Sequence, residues 1–231
     1  MFYLDPMYFV FALPGLLLAL YASFKTKATF KKYSRVRSAF NMSGAQAAQR
    51  LLSGAGISDV SIEQTSGFLS DHYDPVSKTL RLSPGVYGST SLAAIGVACH
   101  EAGHALQHAQ GYAFLHARTA LVPATTFSSY LSYPLFFVGM LLQAPMFLWI
   151  GIALFSASVL FAIVTLPVEW DASARAKRLM VDSDVVPAAE ARVAGEVLDA
   201  AFLTYIAAAV SALLTLLYYL MRSGLLGGRN D

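Results

Sequence analysis

The sequence predicts a mainly α-helical membrane protein of several spans that carries a small α+β segment outside the lipid. Three observations predict this. Hydrophobic residues make up 56% of the 231 residues and charged residues only 13%, about half the ~25% charge content of a soluble domain. Four stretches contain no charged side chain, at residues 6–24, 119–143, 146–166 and 200–221. Each comes close to or exceeds the roughly 20 residues that cross a hydrocarbon core. The segment between the first two stretches has its own helix caps and alternating runs, as a folded polar part requires.

The four stretches are expected to be about four transmembrane helices. The first is read as a retained anchor, because no basic start or small-residue cleavage site marks it as a signal peptide. The second carries Pro123 and Pro134, which are expected to weaken or break it. Basic residues set the orientation. Lys25, Lys27, Lys31, Lys32, Arg35 and Arg37 follow the first stretch, and Arg175, Lys177 and Arg178 follow the third. The link around Ala144 and Pro145 has no charge. The N-terminus is therefore expected outside, with residues 25–118 and 167–199 in the cytoplasm. The whole chain, 1–231, reads as one membrane-embedded domain. A net charge of +2 without a basic, aromatic-rich patch excludes nucleic acid as a partner. The single cysteine, Cys99, precludes an intrachain disulfide and reads as a small buried residue.

Within the polar segment, residues 43–52 read as a short helix capped by Ser43 and stopped at Gly54. Residues 59–64 and 78–82 alternate as strands, and residues 70–75 form a turn-rich link between them. The second of these runs could be an edge strand to which a peptide adds by β-pairing, or a plain structural strand. A longer helix is expected to start at Ser89 or Thr90, both suitable caps, and to run to about Gly111.

That helix carries His100-Glu101-Ala102-Gly103-His104, an H-E-x-x-H pattern. Positions i and i+4 share a helix face, so the two imidazoles can converge on one Zn²⁺. Glu101 then stands beside the ion, where a carboxylate can act as general base toward water. A catalytic zinc needs a third protein ligand. Six residues beyond His104 stands Gln110, which excludes the metzincin pattern. His108 lies eight residues from His100, about 12 Å along a straight helix, too far to share the ion. Glu169, just beyond the third stretch, is the best carboxylate candidate. Pro167 can open a helix, which would put Glu169 in its first turn, where it could alternatively serve only the helix start. Asp171 could orient a histidine from behind or be an ordinary first-turn acid. His72 or Arg175 could stabilise a developing oxyanion, or be a solvated and a membrane-proximal residue respectively.

The chain resembles the YugP-type neutral zinc metallopeptidases of bacterial membranes. The resemblance runs over nearly the whole length. It is carried by the early Asp5-Pro6 and PGLLLALYASFK, by LSDHYDPVSKTLRLSPGVYG, GVACHEAGHALQHAQGYA and TLPVEWDASARA, and by the final LTYIAAAVSALLTLL. It implies a multi-span peptidase of the bacterial inner membrane, with one Zn²⁺ per chain on His100, His104 and Glu169, and Glu101 as catalytic base. It also implies a polypeptide substrate and a lipid surround, and leaves oligomeric or protein partners open. The family is similar in turn to membrane zinc peptidases of the CAAX-processing and heat-shock types. Those carry E-x-x-A-D around the third ligand, whereas here the Asp position holds Ser173. Two other readings compete with a protease. Transport usually requires ionisable residues within the spans, and the four stretches have none. A zinc-binding scaffold without proteolysis would not need Glu101.

Overall fold

The computed structural model describes residues 5–224. The described helices are α1 (Pro6–Tyr33), α2 (Gly44–Gly54), α3 (Pro84–Tyr87), α4 (Leu92–Ala109), α5 (Ala113–Leu141), α6 (Pro145–Asp182) and α7 (Ala188–Arg222). Three strands, β1 (Ser61–Gln64), β2 (His72–Asp74) and β3 (Thr79–Leu82), lie between α2 and α3. This is a helical membrane protein with a small α+β region. The chain forms two compact units. One comprises Met1–Ala22, Ala117–Leu166 and Thr204–Asp231; the other comprises Ser23–His116 and Pro167–Leu203.

The first unit is built from helix alone. Its interior is aromatic: Phe136, Phe155, Tyr218 and Tyr219 are buried with Ile152 and Val159, and the Phe136 and Tyr219 rings stack. Small residues let the backbones approach, as in lipid-embedded bundles. A Cβ on Gly151 would lie 2.9 Å from the Phe136 ring, and one on Gly15 2.7 Å from the Ser211 hydroxyl. Outward positions are apolar too, with Leu13, Leu16, Leu17 and Leu20 all exposed. Water would oppose such a surface and lipid would not.

Among the described residues, three helices, α1, α6 and α7, are long and apolar enough to cross a membrane. Helix α5 is 29 residues long and runs unbroken through Pro123 and Pro134, so the prolines do not end it. Its serines, threonines, tyrosines and prolines dilute its apolar content instead, and Ser128 and Ser132 are buried within the unit.

The second unit surrounds α4. Ser91 caps this helix, accepting from the Ala94 N–H at 3.2 Å. Neither expected cap, Ser89 or Thr90, takes this place; Ser89 stands two residues back and donates its hydroxyl to Ser91. Nearly every α4 side chain before His108 is buried. Cys99 is fully buried, and burial pushes its thiol pKa far up. Helix α2 has the expected Ser43 cap, completed by Gln46 into a reciprocal capping box. The sheet order is β1-β3-β2, with β1 parallel and β2 antiparallel to β3. β3 is therefore the central strand, bonded on both sides. It cannot accept a peptide as an edge, which overturns that expectation for residues 78–82. The missed strand, β2, lies within the segment read as a turn.

Two glycines on one face of α4 fix its neighbours. A Cβ on Gly96 would lie 2.9 Å from the Ala194 carbonyl oxygen of α7, and one on Gly103 2.6 Å from the Ala172 carbonyl oxygen of α6. No side chain fits at either crossing, so three backbones meet at closest approach. Helix α6 is continuous from Pro145 to Asp182 with Pro167 inside it. The reading of Pro167 as a helix start is therefore corrected: Glu169 lies in mid-helix, not in a first turn.

Candidate metal centre

The crossing of α4 and α6 at Gly103 brings three donor side chains together. His100 and His104 project from one face of α4 with ring centroids 4.8 Å apart. Glu169 of α6 enters between them. Its Oε2 lies 3.2 Å from His100 Nε2 and 3.5 Å from His104 Nε2. One donor atom from each residue lies within 4.8 Å of the others, a group that could hold a metal ion. All three residues belong to the second unit.

The electrostatics favour positive charge beside Glu169. The Glu169 side chain is 1% exposed, and an isolated buried carboxylate costs several kcal/mol. Burial pushes its pKa up, but hydrogen bonds and charge from His100 and His104 outweigh this and hold the carboxyl well below the usual range. His104 answers in kind. Burial disfavours its charge, yet Glu169, with smaller help from Glu101 and Gln107, raises its pKa above the ordinary value. Two imidazole nitrogens and one carboxylate oxygen are also the donor set of a catalytic zinc, so these residues fit the ion.

Partners of the imidazoles come from α6 and from α4 itself. Ser173 Oγ lies 3.1 Å from His100 Nδ1. Gln107 Oε1 lies 3.0 Å from His104 Nδ1. The Gln107 amide nitrogen donates to the Val168 carbonyl and to Asp171 Oδ2, both at 2.8 Å. Asp171 thus reaches the centre through Gln107 rather than touching a histidine. Arg175 holds Asp171 from the far side, donates to Gln110 and lies over the Tyr112 ring. Sequence reasoning missed Gln107, although its place three residues after His104 on a helix was a usable signal.

The remaining candidates are placed as follows. Glu101 is buried beside the histidines on α4. His72 sits exposed on β2, its Nδ1 2.8 Å from the Ser70 carbonyl. His108 bonds the Tyr73 hydroxyl through Nδ1 at 2.9 Å. Neither is among the three grouped donors.

Residues 8–224 match the model of the family described as "putative neutral zinc metallopeptidase". The chain belongs to that family. It is also 43% identical over 226 residues to the "putative membrane protease YugP" of Bacillus subtilis (strain 168), covering 97% of this chain and all of that protein. No solved structure matches the chain. The family's description names zinc, and the grouped residues of this chain could hold such an ion.

Two outcomes are expected. Glu169→Ala leaves two imidazoles, and zinc bound per purified chain should drop by more than the 10–100-fold that loss of an outer partner costs; unchanged zinc would remove Glu169 from the ligand set. Gly103→Ala inserts a methyl group against the Ala172 carbonyl and should destabilise the fold by about 1–3 kcal/mol. Gly85→Ala, where nothing lies within 4 Å of the added carbon, should melt near wild type.

Proposed function

We propose that this chain is a zinc-dependent membrane endopeptidase. It hydrolyses peptide bonds of membrane-associated or unfolded polypeptides, with His100, His104 and Glu169 holding the metal and Glu101 acting as base. The observation that carries this reading is the convergence of His100, His104 and Glu169 within 4.8 Å beside a buried Glu101. Three protein donors rather than four is the count of a catalytic zinc, which favours a peptidase over a scaffold.

Bound to these residues, zinc would supply a Lewis acid that polarises the scissile carbonyl and acidifies the attacking water. The chain's own side chains do the rest. Glu101 removes a proton from the water as its oxygen attacks the carbonyl carbon. The protonated Glu101 then delivers that proton to the amide nitrogen, the C–N bond breaks, and an acid and an amine leave. Gly103 contributes by allowing the backbone approach that brings Glu169 to the pair. Asp171 and Arg175 brace α6 behind the ligands. Arg175 is engaged with Asp171 and Gln110 and would need to release Gln110 to meet an oxyanion. His72 would contact substrate from the sheet side.

The second unit is proposed to face the cytoplasm from the bacterial inner membrane, with both units serving one peptidase domain. Support comes from the basic residues at positions 25–37 and 175–178 and the positive-inside rule.

Glu101→Gln should retain zinc and lose cleavage of an unfolded polypeptide by roughly 100- to 10,000-fold, the worth of a positioned base. Undiminished cleavage by zinc-loaded Glu101→Gln protein would remove Glu101 from this role. For orientation, Val76→Cys in a Cys99→Ser background places a thiol at an exposed loop position. A membrane-impermeant maleimide should label it only after cells are permeabilised; labelling of intact cells would reverse the topology.

A further inference from the structure

Gln107 is fully buried, which is unusual for a long polar side chain. Its surroundings fix which way its amide points. The nitrogen end donates to two groups on α6, the Val168 carbonyl and Asp171 Oδ2, each at 2.8 Å. A backbone carbonyl offers only an acceptor, and Asp171 is ion-paired to Arg175 and offers its oxygens likewise. Flipping the amide would set its oxygen against both and leave two close oxygen–oxygen contacts. The oxygen end must therefore face His104 Nδ1, 3.0 Å away. An amide oxygen can only accept, so His104 Nδ1 must carry a hydrogen.

We propose that Gln107 is a positioning residue that fixes the hydrogen of the neutral His104 imidazole on Nδ1, leaving Nε2, the nitrogen on the side of Glu169 Oε2 and His100, as the one that can bind a metal. The inference rests on the proposed function in taking His104 as a zinc ligand. It adds the device that readies this ligand before the metal arrives. In other sites a carboxylate or backbone carbonyl commonly does this work. Here an amide does it, and the amide is itself held by Asp171 and, through it, by Arg175. The same logic does not extend to His100. Its partner, the Ser173 hydroxyl, can donate or accept, so it leaves the tautomer open. The two histidines are thus unequal: His104 is prepared by the fold, and His100 adapts.

The test uses full-length, detergent-solubilised, metal-free protein labelled with ¹⁵N-histidine, at a pH where His104 is neutral. Its resonances are assigned by their loss in His104→Asn. Nitrogen shifts distinguish the two tautomers without any assay of activity. Wild type should show His104 as the Nδ1–H form. Gln107→Leu should lose the preference and bind zinc about 10–100-fold more weakly in a chelator competition. A wild-type His104 in the Nε2–H form would overturn the proposal, and that spectrum decides the matter even if Gln107→Leu fails to fold. Unchanged tautomer and zinc affinity in a folded Gln107→Leu would overturn it equally. The peptidase reading fails separately, through persistent cleavage by Glu101→Gln, and that result leaves the histidine spectrum untouched.

Discussion

The centre depends on one carboxylate held out of water between two imidazoles. Glu169 is 1% exposed and sits in the middle of a long helix, where no helix N-terminus offsets its charge. The nitrogens of His100 and His104 face it at 3.2 and 3.5 Å. Burial disfavours a charge on His104, yet Glu169 raises its pKa above the ordinary value. A divalent ion could be held by all three donors at once.

The backbone geometry follows from this constraint. A carboxylate and two imidazoles can share an ion only if α6 runs unusually close to α4, and Gly103 lets it do so. The periodicity of α6 then sorts its side chains. Glu169 and Ser173, four residues apart, both meet His100. Asp171 and Arg175, also four apart, pair with each other beside Gln107 and Gln110. One pair addresses the donors and the other supports Gln107. A proline at 167 does not disturb this order, since α6 continues through it.

Much of this was legible in the sequence, because it depends on local spacing. The i, i+4 histidines, the Ser43 cap and the long apolar runs are all one-dimensional signals that the structure preserves. Glu169 was accessible through composition, as one of few carboxylates beside a charge-free run. The misses arise where tertiary context decides. Pro167 reads as a helix start by local preference, yet long membrane helices carry proline internally. Residues 78–82 read as a strand, but centre or edge depends on β2, whose three residues lie in a turn-like segment. Gln107 was hidden because its importance comes from Val168 and Asp171, some sixty residues away, and not from its neighbours in sequence.

The partners chosen for the two imidazoles have an electrostatic consequence. Both are neutral, an amide for His104 and a hydroxyl for His100. The one nearby acid behind them, Asp171, is already paired with Arg175. Glu169 and Glu101 are the acids beside the imidazoles. A carboxylate in place of Ser173 would add a third negative charge at a position that is 5% exposed, where charge is costly. It would also draw the His100 proton and strengthen that ligand's donation, weakening the ion's pull on a carbonyl or a water. Neutral partners hold the histidines in place without adding charge to a centre that already has Glu169 and Glu101. That balance makes a serine at position 173 consistent with a working site rather than a lost one.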